Sequence, residues 1–277
     1  MKNYVISLTT ASERRAHIIR EFGKQGVDFE FFDAVTPEQV DDLAARYNIN
    51  VGSCELTKGE LACLFSHLSL WHKALEENMD YIAIFEDDVY LGNNSHLYLG
   101  DAKWIPKNID TVKLEFFQEL VDMDFTGLKL PGNRKLRKIN SVHLGAAGYI
   151  LNTHSINKFL NIIKSYQQII PIDHVLFDSY LKEIDVFQMH PAIVVQSDRV
   201  NTAGNNDINV FKSQLEADRR IRINNSQISE NILKNELLYK IIREIHRIIV
   251  QVTTLPNTAY RYFFQNQNLD NYLRFIV

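Results

Sequence analysis

Cysteine is almost missing from this chain: two of its 277 residues, Cys54 and Cys63, too few for a disulfide framework. Nine residues apart and with no CxxC, they read as unpaired thiols rather than as a zinc site. No run of about 18 apolar residues occurs, so no segment reads as a membrane-spanning helix. The opening residues, Met1-Lys2-Asn3-Tyr4-Val5-Ile6-Ser7-Leu8, lack the length and the small-residue cleavage site of a secretory signal. They read as a first strand, and with so little cysteine they point to a reducing cytoplasm. Glycine (11) and proline (6) are scarce, which excludes collagen-like and low-complexity chains. The GxGxxG, P-loop, GxSxG and HExxH patterns are all absent. Rossmann dehydrogenases, P-loop NTPases, α/β-hydrolases and zincins thereby lose their usual support.

What is present suits a folded enzyme-sized chain, with 45% hydrophobic and 23% charged residues. The net charge of −4 is unevenly spread. Residues 211–277 hold ten Lys and Arg against six Asp and Glu, while the first 210 hold twenty against twenty-eight. An acidic body is a poor nucleic-acid binder, because phosphate contacts need a basic surface. A basic tail on such a body suggests a local patch for an anionic partner.

Strand and helix signals alternate from the start. Tyr4-Val5-Ile6-Ser7-Leu8 is a short apolar run of the buried-strand kind. A helix follows from Ser12, with Gly23 and Gly26 to end it, and Phe29-Glu30-Phe31-Phe32 forms a second strand closing on Asp33. Thr36-Pro37-Glu38-Gln39 and Thr57-Lys58-Gly59-Glu60 are capping boxes that open helices. The second of these helices carries Leu61, Leu64, Phe65, Leu68, Trp71 and Leu75 on one arc. Tyr81-Ile82-Ala83-Ile84-Phe85 is a further buried strand, residues 111–117 alternate like a strand, and 122–142 reads as a loop or basic hairpin. Strands over 144–151, 186–189 and 193–195 surround helices over 154–166 and from Pro171. This alternation predicts an α/β fold, a mostly parallel sheet flanked by helices, over residues 1–210. Residues 211–277 read as a helical, basic and aromatic extension. Its apolar stripe, from Leu238 to Val252 at helical spacing, either packs on the domain or serves as an interfacial anchor. The arginine-flanked aromatics at Tyr260-Arg261-Tyr262-Phe263-Phe264 and Tyr272-Leu273-Arg274-Phe275 favour peripheral contact with an anionic bilayer.

Three adjacent carboxylates, Glu86-Asp87-Asp88, end the apolar strand 81–85. Ligands of open α/β sheets bind at that edge, and mutually repelling carboxylate oxygens favour Mg²⁺ or Mn²⁺. The plainer alternative is a solvated turn. Glu60 is the third helical residue of a capping box, yet it shares a helix edge with Cys63 and His67 that could border a cleft. Asp173, in Pro171-Ile172-Asp173-His174, is either a helix N-cap or a carboxylate placed to act as general base. His190, before Pro191, either completes a carboxylate metal site or is structural, and Asp198 is a weaker case of the same kind.

Taken together, these segments resemble glycosyltransferase family 25, the lipooligosaccharide-biosynthesis transferases. The resemblance rests on Val5-Ile6-Ser7-Leu8 with Arg14-Arg15, Phe31-Phe32-Asp33-Ala34-Val35, and the stretch from Leu56 through Gly59-Glu60-Leu61-Ala62-Cys63 to Ser66-His67. It continues through Ile84-Phe85-Glu86-Asp87-Asp88-Val89, His143-Leu144-Gly145-Ala146-Ala147-Gly148-Tyr149, Pro171-Ile172-Asp173, and His190-Pro191 with Gln196. These recur in family order over residues 4–198. One departure is Ala62, where the family commonly has Gly; a methyl is tolerated within a helix.

The resemblance implies a GT-A-like nucleotide-sugar fold and inverting transfer of a hexose. It implies a UDP-sugar donor, UDP-galactose foremost, and a lipooligosaccharide glycan acceptor. Glu86-Asp87-Asp88 then looks like a DxD-type motif. Asp88 ranks first as ligand of Mn²⁺ or Mg²⁺, with Asp87 and Glu86 next and His190 as a distal ligand. Ser7, Asp33, Glu60, Glu86 and Asp87 would line the donor pocket, and Asp173 would be the base. A UDP-glucose-dependent relative is the near alternative. A metal-dependent nucleotidyltransferase and a non-catalytic membrane-surface protein are the distant ones. The implied location is cytoplasmic, on the cytoplasmic face of the inner membrane if the tail binds lipid.

Overall fold

The structure, a computed structural model, describes residues 1–200 except 53, 117–120, 166–168 and 182, together with 211. The expectations for the 211–277 extension, its apolar stripe and its bilayer contact lie outside the described residues. No described helix is long and apolar enough to cross a membrane.

In chain order the elements are β1 (Lys2–Ser7), α1 (Ser12–Gln25), β2 (Glu30–Asp33), α2 (Val40–Tyr47), α3 (Lys58–Glu76), β3 (Tyr81–Glu86), β4 (Val89–Leu91), α4 (His96–Leu99), β5 (Thr111–Lys113) and β6 (Glu115–Phe116). There follow β7 (Leu128–Lys129), β8 (Lys135–Lys138), β9 (Gly148–Asn152), α5 (Thr153–Ser165), α6 (Ile172–Phe177), β10 (Val186–His190) and β11 (Val194–Gln196). The strands make an eight-stranded sheet, ordered β2-β1-β3-β9-β5-β10-β8-β7, and a three-stranded one, β4-β11-β6.

The local chemistry explains the elements that were legible. β1 and β3 are covered on both faces, so Val5 and the whole run Ile82 to Phe85 are fully buried. α1 passes through Gly23 and stops at Gly26, whose φ of 62° is the left-handed conformation that glycine adopts without a Cβ penalty. α3 starts on a complete capping box. The Glu60 amide donates to Thr57 Oγ1 at 3.1 Å, and the Thr57 amide donates to Glu60 Oε2 at 3.0 Å. Its expected arc is buried from Leu61 through Trp71.

The sheet is mixed rather than mostly parallel. β2, β1 and β3 run parallel, as do β5 and β10, but β9 lies antiparallel between β3 and β5. A parallel return needs a crossover, usually a helix. Among the described residues between β5 and β9 the chain makes β6 and the β7–β8 hairpin and no helix, and β9 comes back in the opposite sense. The alternating stretch 111–117 also divides. Its first part joins the large sheet as β5 and its second joins the small sheet as β6, with the Leu114 amide between them donating to Gly148 O at 2.9 Å.

The small sheet meets the large one at Gly148. A Cβ built there would lie 2.8 Å from Val194 Cγ1 and 3.0 Å from Val194 Cβ and Cγ2. We expect Gly148→Ala to cost roughly 1–3 kcal/mol in urea unfolding. Val194→Ala added to that background should recover part of the loss.

Candidate active site

β1, β2 and β3 are parallel neighbours, so their carboxyl ends share one edge of the sheet. α1 begins five residues after β1 and lays its first turns over that edge. Arg14 Nη1 donates to Asp87 Oδ1 at 2.6 Å and lies 3.6 Å from Asp88 Oδ2. Ser7 Oγ donates to Asp87 Oδ2 at 2.7 Å. Both oxygens of Asp87 are thus held, one from β1 and one from α1. Arg15 donates to the carbonyls of Leu8 and Ser7, pairs with Asp33, and stacks over the Phe31 ring at 4.7 Å. The Asp33 side chain keeps 67% of its surface exposed, so it forms an open rim beside the buried Ser7–Asp87 contact.

Glu86-Asp87-Asp88 is therefore not a solvated turn. Asp87 and Asp88 are buried because β3 leaves the large sheet there and β4 enters the small one. β11 closes over the junction. The Ser197 amide donates to Asp88 O at 2.8 Å, and Gln196 Nε2 donates to Glu86 Oε2 at 3.1 Å. Asp88 Oδ1 is buried with no hydrogen-bond partner. Burial raises the Asp88 carboxyl to about 6; Arg14 opposes the shift, while the Asp87 and Asp198 charges add to it. Glu86 is raised well above the carboxylate range, first by burial and then by Asp88, Glu115, Asp87 and Asp173. A buried carboxylate oxygen without a donor, among charges of its own sign, has the donor character that hard divalent cations take.

Asp173 sits in the first turn of α6, and Pro171 occupies the position ahead of the helix, so Asp173 is not the N-cap. Its Oδ1 accepts from the His174 amide at 3.1 Å. Its charge acts on both Glu86 and Lys113, so it lies within electrostatic reach of both. Glu60 is almost fully buried and serves the α3 cap through Thr57. His190 ends β10, three strands along from β3, or roughly 14 Å at the usual strand spacing. Burial, then Arg137 and Lys135, bring its imidazole down to about 4. The structure does not bring His190 to Asp87 and Asp88, because β9 and β5 lie between.

The site has two further supports, and only the first was not visible in the sequence. Lys113 Nζ, wholly buried, lies 3.3 Å from Glu115 Oε2, donates to the carbonyls of Leu144 and Gly145, and sits 4.1 Å over the Phe177 ring of α6. Glu115 Oε2 accepts from the Ala147 amide at 3.0 Å, and Ala147 O in turn accepts from the Glu86 amide at 3.1 Å. A buried ion pair thus fixes the loop that holds Glu86, and it touches the helix that carries Asp173. Thr111, Lys113 and Glu115 take alternate positions along the strand stretch 111–117, and all three are fully buried. The second support is His67, whose Nδ1 lies 2.7 Å from Tyr149 Oη, which also accepts from Trp71 Nε1 at 3.1 Å. Burial holds its imidazole neutral, with a pKa of about 3.

Arg14 offers a direct check on this geometry. Arg14→Met leaves Asp87 and Asp88 buried without their guanidinium, so stability at pH 7 should fall by about 3 kcal/mol. The deficit should shrink toward pH 5, where the raised Asp88 takes up a proton. Urea unfolding at the two pH values measures both effects.

The model of glycosyltransferase family 25 (LPS biosynthesis protein) matches residues 1–176. A putative glycosyltransferase of Haemophilus influenzae is 33% identical over 255 residues, covering 90% of this chain and 86% of its own. The lipooligosaccharide biosynthesis protein lic2B of Haemophilus influenzae is 34% identical, covering 88% and 94%. The lacto-N-neotetraose biosynthesis glycosyltransferase LgtB of Neisseria gonorrhoeae is 33% identical, covering 90% and 92%. With a buried carboxylate cluster at the sheet edge and a family match across both strands that carry it, the chain belongs to glycosyltransferase family 25 and is a glycosyltransferase.

Proposed function

We propose that this chain moves a hexose, galactose foremost, from a UDP-sugar to a lipooligosaccharide-type glycan, with inversion at the anomeric carbon and with Mn²⁺ or Mg²⁺ bound at Asp88. The observation that carries this reading is the unpartnered, buried Asp88 Oδ1 beside the Ser7–Asp87–Arg14 lock. The names of the relatives, which include lipooligosaccharide and lacto-N-neotetraose biosynthesis proteins, support the acceptor class.

Asp88 supplies the free oxygen for the cation, and Asp87, held on both oxygens, stays fixed beside it. A bound divalent cation supplies Lewis-acid stabilisation of the departing diphosphate. Asp33 and Arg15, on the open rim at the end of β2, face the nucleoside. Ser7 orients Asp87 from the end of β1. Inversion requires the acceptor hydroxyl to attack from the side opposite the diphosphate. Asp173 takes the hydroxyl proton as the new C1–O bond forms and the bond from C1 to the diphosphate oxygen breaks, releasing UDP. The buried Lys113–Glu115 pair holds α6 and the 144–147 loop so that Asp173 and Glu86 keep their places.

UDP release measured over a panel of UDP-sugars with lactose- and glucose-type acceptors tests this reading. UDP-galactose should give the fastest turnover, and NMR of the product should show an inverted anomeric centre. Preference for UDP-glucose would overturn the donor assignment, and a retained configuration would overturn the role of Asp173. No UDP release with any donor would overturn the whole reading.

A further inference from the structure

We propose that Cys63, His67 and Glu86 form a second cation site, for a thiophilic divalent ion such as Zn²⁺, with a donor set unlike that around Asp88. Among the described residues, these three bring sulfur, imidazole and carboxylate ligand atoms within 4.8 Å of one another. Cys63 and His67 stand four residues apart on α3, hence one above the other on the same face. Glu86 meets them from the end of β3.

The orientation of each side chain favours a shared ion. His67 is fully buried, and its Nδ1 is committed to Tyr149 Oη, so the ring is fixed and Nε2 faces Glu86. Nε2 has no hydrogen-bond partner. It lies 3.9 Å from Glu86 Oε1, too long for a hydrogen bond. That gap approaches the separation of two ligands on one tetrahedral ion with bonds of about 2.0–2.3 Å. Glu86 Oε2 is engaged by Gln196, which leaves Oε1 to face the histidine. With the proton on Nδ1, Tyr149 Oη accepts from both His67 and Trp71, and Nε2 presents its lone pair. Such an outer hydrogen bond is the usual companion of a metal-ligating histidine.

The donor types decide which ion. A thiolate and an imidazole select Zn²⁺ over Mg²⁺ and Mn²⁺, whereas the carboxylate donors of Asp87 and Asp88 do the reverse. Cys63 and Glu86 are only half-buried, so an ion can reach the site, and three protein ligands leave a fourth position open. An ion held there ties Glu86 to α3 and removes its negative charge from beside Asp88. The usual spacing rules miss this arrangement because its ligands come from one helical turn and a strand end, not from paired CxxC segments.

Cobalt reports the thiolate directly. The full chain, stripped of metal and titrated with Co²⁺, should show a thiolate-to-cobalt charge-transfer band that saturates at one equivalent. Cys63→Ser should abolish the band and weaken tight Co²⁺ binding by at least about 10-fold, while Cys54→Ser and Asp88→Asn should leave the band in place. On the unmodified chain, one equivalent of Zn²⁺ should slow alkylation of Cys63 at least about 10-fold and leave Cys54 unaffected. A chain with no charge-transfer band, a band that survives Cys63→Ser, or Zn²⁺ that fails to protect Cys63 would overturn the proposal.

Discussion

Asp88→Asn should abolish sugar transfer and at the same time make the protein more stable at neutral pH. The two effects share one cause. Asp88 is buried with an unpartnered Oδ1, and its carboxyl is raised to about 6. A carboxyl whose folded value lies above its unfolded value, near 3.9, destabilises the fold once it must ionise. The penalty grows between about pH 4 and pH 6 and is constant above, where it reaches on the order of 3 kcal/mol. Asparagine removes the charge and keeps the shape, so its gain in melting temperature should be absent at pH 4 and largest at pH 7. Loss of the charge proposed to hold a cation should lower kcat by roughly 10³-fold, the scale seen when one electrostatic stabiliser is removed from a buried site. Mn²⁺ should stabilise the wild type by mass action and leave the variant unmoved. Melting curves at the two pH values, with and without Mn²⁺, separate these effects. A variant less stable than the wild type at pH 7 would show that Asp88 serves the fold rather than the cation.

Asp173→Asn should lower kcat by about 10²–10⁴-fold and leave the KM for the donor nearly unchanged, the signature of a lost general base. The comparison is clean because Pro171, not Asp173, holds the position ahead of α6. Asparagine keeps the carbonyl oxygen that accepts from the His174 amide, so little stability should change with the charge. Steady-state kinetics with donor and acceptor varied separately measure the effect. Near-normal kcat would reduce Asp173 to a local helix contact.

The parts of this site that local chemistry determines were legible in the sequence. β1 and β3 are apolar runs because both faces are covered, and the carboxylates that follow β3 lie at the sheet edge as that reading requires. The Thr57–Glu60 box opens α3 at the expected residue. What escaped depends on distant pairing. The burial of Asp87 and Asp88 comes from β11 pairing with β4, more than a hundred residues away, and short strands of this kind carry little signal of their own. The place of His190 is hidden in the same way, since sequence order does not reveal that β9 and β5 separate β10 from β3. Lys113 and Glu115 show the limit of periodicity: polar residues at every second position mimic a solvated face, yet here they form an internal ion pair. The mixed sheet goes with the lack of a crossover helix among the described residues between β5 and β9, which alternation of strand and helix signals alone does not reveal.

The most direct measurement is transfer from UDP-galactose to a glucose-type acceptor by the full chain, stripped in excess EDTA and then given metal back. Turnover should vanish in EDTA and return with Mn²⁺ or Mg²⁺ in the wild type, and should stay lost in Asp88→Asn at every metal concentration. Transfer at full rate in excess EDTA would contradict the assignment of the carboxylate cluster as the cation and diphosphate site.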